Sequence, residues 1–98
     1  MIKTKKSLVH ALPTPDLNQF LSLELIGETI KARRTQLGIT LRKAALLCDV
    51  TYVTMSRIEN AKMGVKMQTI LKIMAALNIK MSIKPWDEQG LDFEYIEK

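Results

Sequence analysis

Cysteine and histidine are nearly absent from this chain, at one residue each, Cys48 and His10. A single cysteine excludes an intrachain disulfide. One Cys with one His cannot supply the ligand set of a metal site. Cys48 falls on the apolar side of a helical pattern, so its plain reading is a buried thiol. His10 has no second ligand or partner group at useful spacing. The four glycines are isolated, which leaves no glycine-rich phosphate loop. With no legible nucleophile–base pair, neither a catalytic residue nor a cofactor is expected. Apolar runs are short, and none approaches the ~18 residues of a membrane span. The head, MIKTKKSLVHALPTP, has too short an apolar run for a secretory signal, so a cytoplasmic, unprocessed chain is expected.

Acid is also scarce, but only over part of the length. Residues 1–84 carry 14 basic and 5 acidic side chains, a balance of +9, whereas residues 85–98 carry 1 and 5, a balance of −4. The body suits a polyanion and the tail does not, although a merely soluble basic surface has the same totals. At 98 residues and 47% apolar the chain is one globular domain. A core that small gains from a dimer interface.

What is present in strength is a helical pattern broken by a turn. Thr40 to Asn60, TLRKAALLCDVTYVTMSRIEN, reads as helix, tight turn, helix. Thr40 is an N-cap residue, and Leu41, Ala44, Ala45 and Cys48 follow at helical spacing. Asp49 tolerates the left-handed conformation that a tight turn requires, and Val50 can pack beneath it. Thr51 caps a second helix, Tyr52 to about Asn60, with Met55 and Ile58 inward. Its other face, Tyr52, Val53, Thr54, Ser56 and Arg57, is mostly small, polar or basic, which suits close approach to a major groove. Arg42 and Lys43 lie in the first turn of the helix before, where the dipole disfavours cations. A phosphate reverses that preference; a solvated charged face is the plain alternative.

The flanks are read more simply. Residues 1–22 form an arm with Lys3, Lys5 and Lys6, two prolines that keep it extended, and a possible short helix capped by Asp16. The arm either follows a DNA backbone or is a frayed end with a short packing segment. Leu25 to Leu37 is a helix stopped by Gly38. Residues 61–66 are a loop, and Met67 to Leu77 is a helix whose apolar face is broad enough to serve a core and a dimer. In NIKMSIK, Ile79, Met81 and Ile83 alternate with polar residues as in a half-buried strand, and no partner strand is evident within the chain. Residues 86–98 form an acidic tail that is nonetheless rich in aromatic side chains, with Trp86, Phe93 and Tyr95 as possible partner contacts.

Ile26 to Ile79 resembles the DNA-binding domain of the lambda Cro/repressor (XRE) type, through IGETIKARRTQLGIT, AALLCDVTYVTMSRIEN and MQTILKIMAALNI. The run LKIMAALNIKMSI is most similar to the HipB branch of antitoxins. The resemblance implies an all-α fold, a five-helix helix-turn-helix domain over residues 23–78, followed by a short C-terminal β-strand, residues 79–85, pairing across a dimer. It further implies a repressor of palindromic double-stranded operator DNA that autoregulates its operon and neutralises a HipA-like serine/threonine kinase toxin. On this resemblance Thr51, Tyr52, Val53 and Ser56 are expected at base edges. Arg34, Thr40, Arg42, Lys43, Thr54, Arg57 and Lys62 are expected at phosphates, and Ile79, Met81 and Ile83 at the dimer interface. Glu59 is expected to hold backbone or an Arg. The chain departs from the family in having Leu41 where Gln is common and Asp49 where Gly is common. Two alternatives stay open: an XRE-type regulator without a toxin, and a protein-interaction module built on a degenerate helix-turn-helix.

Overall fold

A computed structural model describes residues 9–62 and 64–86. Among them are four helices, α1 (Leu23–Gln36), α2 (Leu41–Cys48), α3 (Tyr52–Glu59) and α4 (Met67–Ala76). Three begin at a hydroxyl. Ser22, Thr40 and Thr51 each have extended backbone and accept a hydrogen bond from the amide three residues on, those of Leu25, Lys43 and Thr54. The Ser22 cap starts α1 two residues before the expected Leu25. Sequence periodicity passed over it because Leu21, Leu23 and Leu25 blur the boundary.

All four helices end the same way. Gly38, Asp49, Ala61 and Asn78 each have positive φ. Around each, two amides turn back into the last helical turn, as in Gly38 to Thr35 (2.9 Å) and Ile39 to Arg34 (3.3 Å). The same pair closes α2 through Asp49 and Val50, α3 through Ala61 and Lys62, and α4 through Asn78 and Ile79. This is the Schellman arrangement, which satisfies orphan carbonyls. Its accompanying apolar contact is supplied by Ile39, Val50 and Ile79, which pack against the core.

The core joins Ile26 and Ile30 of α1 to Ala44, Ala45 and Cys48 of α2, Met55 and Ile58 of α3, and the Ile70, Ile73, Met74 and Leu77 stripe at α4. Gly27 lets α1 lie directly on the end of α3: a Cβ there would stand 2.6 Å from the Ile58 carbonyl oxygen and 2.9 Å from that of Glu59. Such an approach excludes any side chain, which explains a glycine inside a helix. Arg33 donates to the Leu77 carbonyl at 2.8 Å, tying α1 to the end of α4.

Three expectations are corrected. No fifth helix occurs among the described residues. At Asp16 the side chain accepts from the Asn18 amide (2.9 Å), a local turn that closes on itself before a helix propagates. The arm instead runs back along α1. The Leu12 amide donates to Thr35 Oγ1 (3.0 Å), and Gln36 Nε2 donates to the Leu12 carbonyl (2.8 Å) and to Thr14 Oγ1 (3.0 Å). Residues 79–85 form no strand: among the described residues the stretch from Lys80 to Trp86 makes no backbone–backbone hydrogen bond, since one chain offers no second edge. Ile79 and Met81 pack on their own core, whereas Ile83 is 96% exposed.

Candidate nucleic-acid interface

The α2–turn–α3 unit presents one surface built from two helix starts. Helix α2 must be re-aimed into α3 within three residues, and Asp49 accomplishes this in the left-handed region at φ 58, ψ 48. Lys72 of α4 braces the turn, its Nζ donating to the Asp49 carbonyl at 3.0 Å and lying 3.9 Å from the carboxylate. The carboxylate itself is exposed, and eight residues of helix separate it from the start of α2, about 12 Å at the helical rise. Its negative charge therefore lies away from Arg42 and Lys43, which are both exposed at that start.

Arg42 and Tyr52 tie the two helix starts together. The Arg42 guanidinium carbon lies 5.1 Å from the centroid of the Tyr52 ring, within cation–π range. A cation in the first turn of α2, unfavourable to its own dipole, thus sits beside the first residue of α3. Tyr52 and Val53 remain 46% and 63% exposed, uncovered by the chain itself, while Met55 and Ile58 of the same helix are buried. The outer face of α3 is therefore apolar and hydroxylic with cations alongside, a combination suited to thymine methyls, base edges and phosphates.

The hydroxyls are partly committed. Thr51 Oγ1 accepts from the Thr54 amide (3.0 Å) and donates to Thr54 Oγ1 (2.9 Å), leaving the Thr54 proton for an outside acceptor. Thr40 Oγ1 accepts from the Lys43 amide at 3.1 Å. Ser56 is half-buried, with Asn60 Nδ2 donating to its carbonyl (2.8 Å) and lying 3.4 Å from its Oγ. Arg57 and Lys62 are exposed, and the Arg57 guanidinium passes 3.2 Å from where a Cβ on Gly64 would stand, so the loop glycine makes room for it.

Arg34 does not belong to this surface. It is 8% exposed, its Nε and Nη2 donate to both carboxylate oxygens of Glu59 at 2.6 and 3.0 Å, and its Nη1 donates to the Ile39 carbonyl at 3.0 Å. All three guanidinium nitrogens donate inside the domain, so its role is to lock α1 to the end of α3. Sequence reasoning had Glu59 holding backbone or an Arg; it did not foresee that the Arg was Arg34. It also missed Lys72, Thr35 and Gln36, whose partners lie more than 20 residues away in the chain.

Burial raises the pKa of the Cys48 thiol above its ordinary 9.0, with nearby Lys72 pulling weakly the other way. The thiol is thus a protonated core group. Among the described residues no cluster of metal-binding side chains occurs, and no helix is long and apolar enough to cross a membrane. Of the expected tail contacts, Trp86 is 80% exposed; Phe93 and Tyr95, like Lys3, Lys5 and Lys6, lie outside the described residues.

A family model, HTH_3, described as helix-turn-helix, matches residues 30–83, more than half of the chain. That span takes in the second half of α1, all of α2, α3 and α4, and the extended stretch to Ile83. No curated protein matches the chain.

Proposed function

The chain belongs to the helix-turn-helix family HTH_3, whose members' domain is that of a DNA-binding transcription regulator, and from this premise we propose a sequence-specific repressor acting as a homodimer on a palindromic operator. The observation that carries the reading is the Arg42–Tyr52 stack, which puts the start of α2 and the start of α3 on one surface. Helix α3 enters the major groove with Tyr52, Val53 and Ser56 toward base edges and Thr51 at its mouth. Arg42, Lys43, Thr40, Thr54, Arg57 and Lys62 are the proposed phosphate contacts on either side of the groove. Two copies place their α3 helices about 34 Å apart, one turn of duplex. The second copy supplies the edge that the backbone of Lys80–Trp86 lacks, with Ile83 covered in the pairing.

The HipB-like run LKIMAALNIKMSI extends the proposal to an antitoxin that represses its own operon and neutralises a HipA-like serine/threonine kinase. Exposed Trp86 is the contact proposed for that partner. The test is binding of the purified protein to the DNA upstream of its own gene, with Tyr52→Ala and Ser56→Ala beside the parent. Selective binding that both substitutions abolish is the expected result. Weak binding that is equal on any duplex and indifferent to them sinks the reading in favour of a protein-contact module. For the antitoxin step, a kinase encoded beside the gene should be inhibited by the parent protein; an uninhibited kinase removes that step alone.

A further inference from the structure

We propose that residues 91–96 of the chain's own tail, LDFEYI, occupy an apolar groove on the flank of the domain. The groove encloses about 400 Å³ between the Leu17–Leu21 stretch and the Ile79–Lys84 stretch. Leu25, Ile26, Met74 and Met81 line its apolar part. Around it stand large apolar side chains with no cover, Phe20 at 97% exposed and Leu17 at 59%. Apolar surface of this kind, rimmed by polar groups, marks a docking site. No lining residue comes from α2 or α3, so the groove is separate from the DNA-facing surface.

Charge selects the occupant. The charged groups lining the groove are Lys80 and Lys84, and among the described residues neither has an acidic partner. A segment that fits is apolar on one side and acidic on the other. In LDFEYI, Leu91, Phe93 and Tyr95 alternate with Asp92 and Glu94. Extended, those two sets point to opposite sides. With the apolar set turned to the floor, both carboxylates come to the rim, at the level of the two lysines.

Chain length points the same way. Lys84 lines the groove, and Pro85 to Gly90, six residues, separate it from Leu91. Six residues span up to roughly 20 Å, enough for the chain to reverse. The docking segment and the Ile79–Lys84 wall are each six residues long. So short a tether gives an effective concentration in the mM range, which a second copy in dilute solution does not match. Docking also keeps Asp92 and Glu94 beside Lys80 and Lys84 and off the basic DNA-facing surface. The proposal depends on neither the operator nor the kinase.

Solution NMR of the full chain tests it, with mixed labelled and unlabelled samples to separate contacts within a chain from contacts between chains. Contacts from the Phe93 or Tyr95 ring to the Met81 and Leu25 methyls are expected within one chain, unchanged over tenfold dilution. They should be lost in Lys80→Glu/Lys84→Glu, whose substituted positions are exposed, and regained when Asp92→Lys and Glu94→Lys are added to that variant. Absence of the contacts in the parent overturns the proposal, as does their survival of the charge reversal. Contacts found only between chains also overturn it, and assign the groove to a second copy.

Discussion

Glu59 and Arg34 are buried charges that stabilise the domain only as a pair. The Glu59 side chain is 4% exposed, and the bidentate contact leaves Arg34 with the Ile39 carbonyl alone once the carboxylate is removed. Glu59→Ala is expected to lower stability by about 3–5 kcal/mol, the range for stranding a buried charge. Urea unfolding followed by circular dichroism measures it, and a loss below 1 kcal/mol would mean the guanidinium finds water. Cys48 gives a prediction in pH. Its thiol pKa is raised in the folded state, so the stability it contributes is fully present below the unfolded value, near 9.0, and is lost as pH rises through the higher folded value. Stability of the parent should fall above about pH 9, and Cys48→Ala should flatten that part of the curve.

At the scale of the element, the four Schellman endings differ in how well their left-handed residue suits the position. Gly38 suits it without strain, and Asp49 and Asn78 are tolerated, whereas Ala61 at φ 56 is held there against its Cβ. Ala61→Gly should therefore raise stability by about 1 kcal/mol and shift the thermal midpoint upward; an unchanged or lowered midpoint refutes the strain. The start of α2 carries a second element-scale prediction. If the planar guanidinium of Arg42 orients Tyr52, Arg42→Lys keeps the charge and loses the stack. Operator affinity should fall several-fold in Arg42→Lys in an operator titration; an unchanged affinity would mean that the charge alone, not the stack, serves the interface.

For the whole molecule, the distribution of charge is what DNA would feel. If Arg42 and Lys43 each meet a phosphate, the dependence of log binding constant on log salt should flatten by about 0.9 for each contact removed in Arg42→Gln/Lys43→Gln. Binding measured between low and moderate salt reads this directly; an unchanged slope places both cations in solvent. A twofold particle doubles the change, so the same titration, set against the sedimentation mass, also tests the proposed homodimer. The clamp of Leu12 and Thr14 on Thr35 and Gln36 brings the arm to the last turn of α1, four residues before Thr40.

Local chemistry determined the helices from the sequence itself. The hydroxyl caps at Thr40 and Thr51, the stop at Gly38, the left-handed turn at Asp49 and the spacing of Ala44, Cys48, Met55 and Ile58 are near-neighbour effects. Those residues place α2 from Leu41 to Cys48 and α3 from Tyr52, as observed. Long-range contact decided the rest. Arg34 has the same sequence signature as a surface arginine, and its burial follows from the approach of α1 to α3 that Gly27 permits. Alternation in NIKMSIK marked an extended stretch without saying what pairs with it, because a strand is a property of two edges. Asp16 resembled a helix cap, yet the tertiary clamp at Thr35 and Gln36 drew the arm along α1. Periodicity and capping act over one or two turns, whereas the partners of Arg34, Lys72 and Gln36 lie more than 20 residues away and are brought together only by packing.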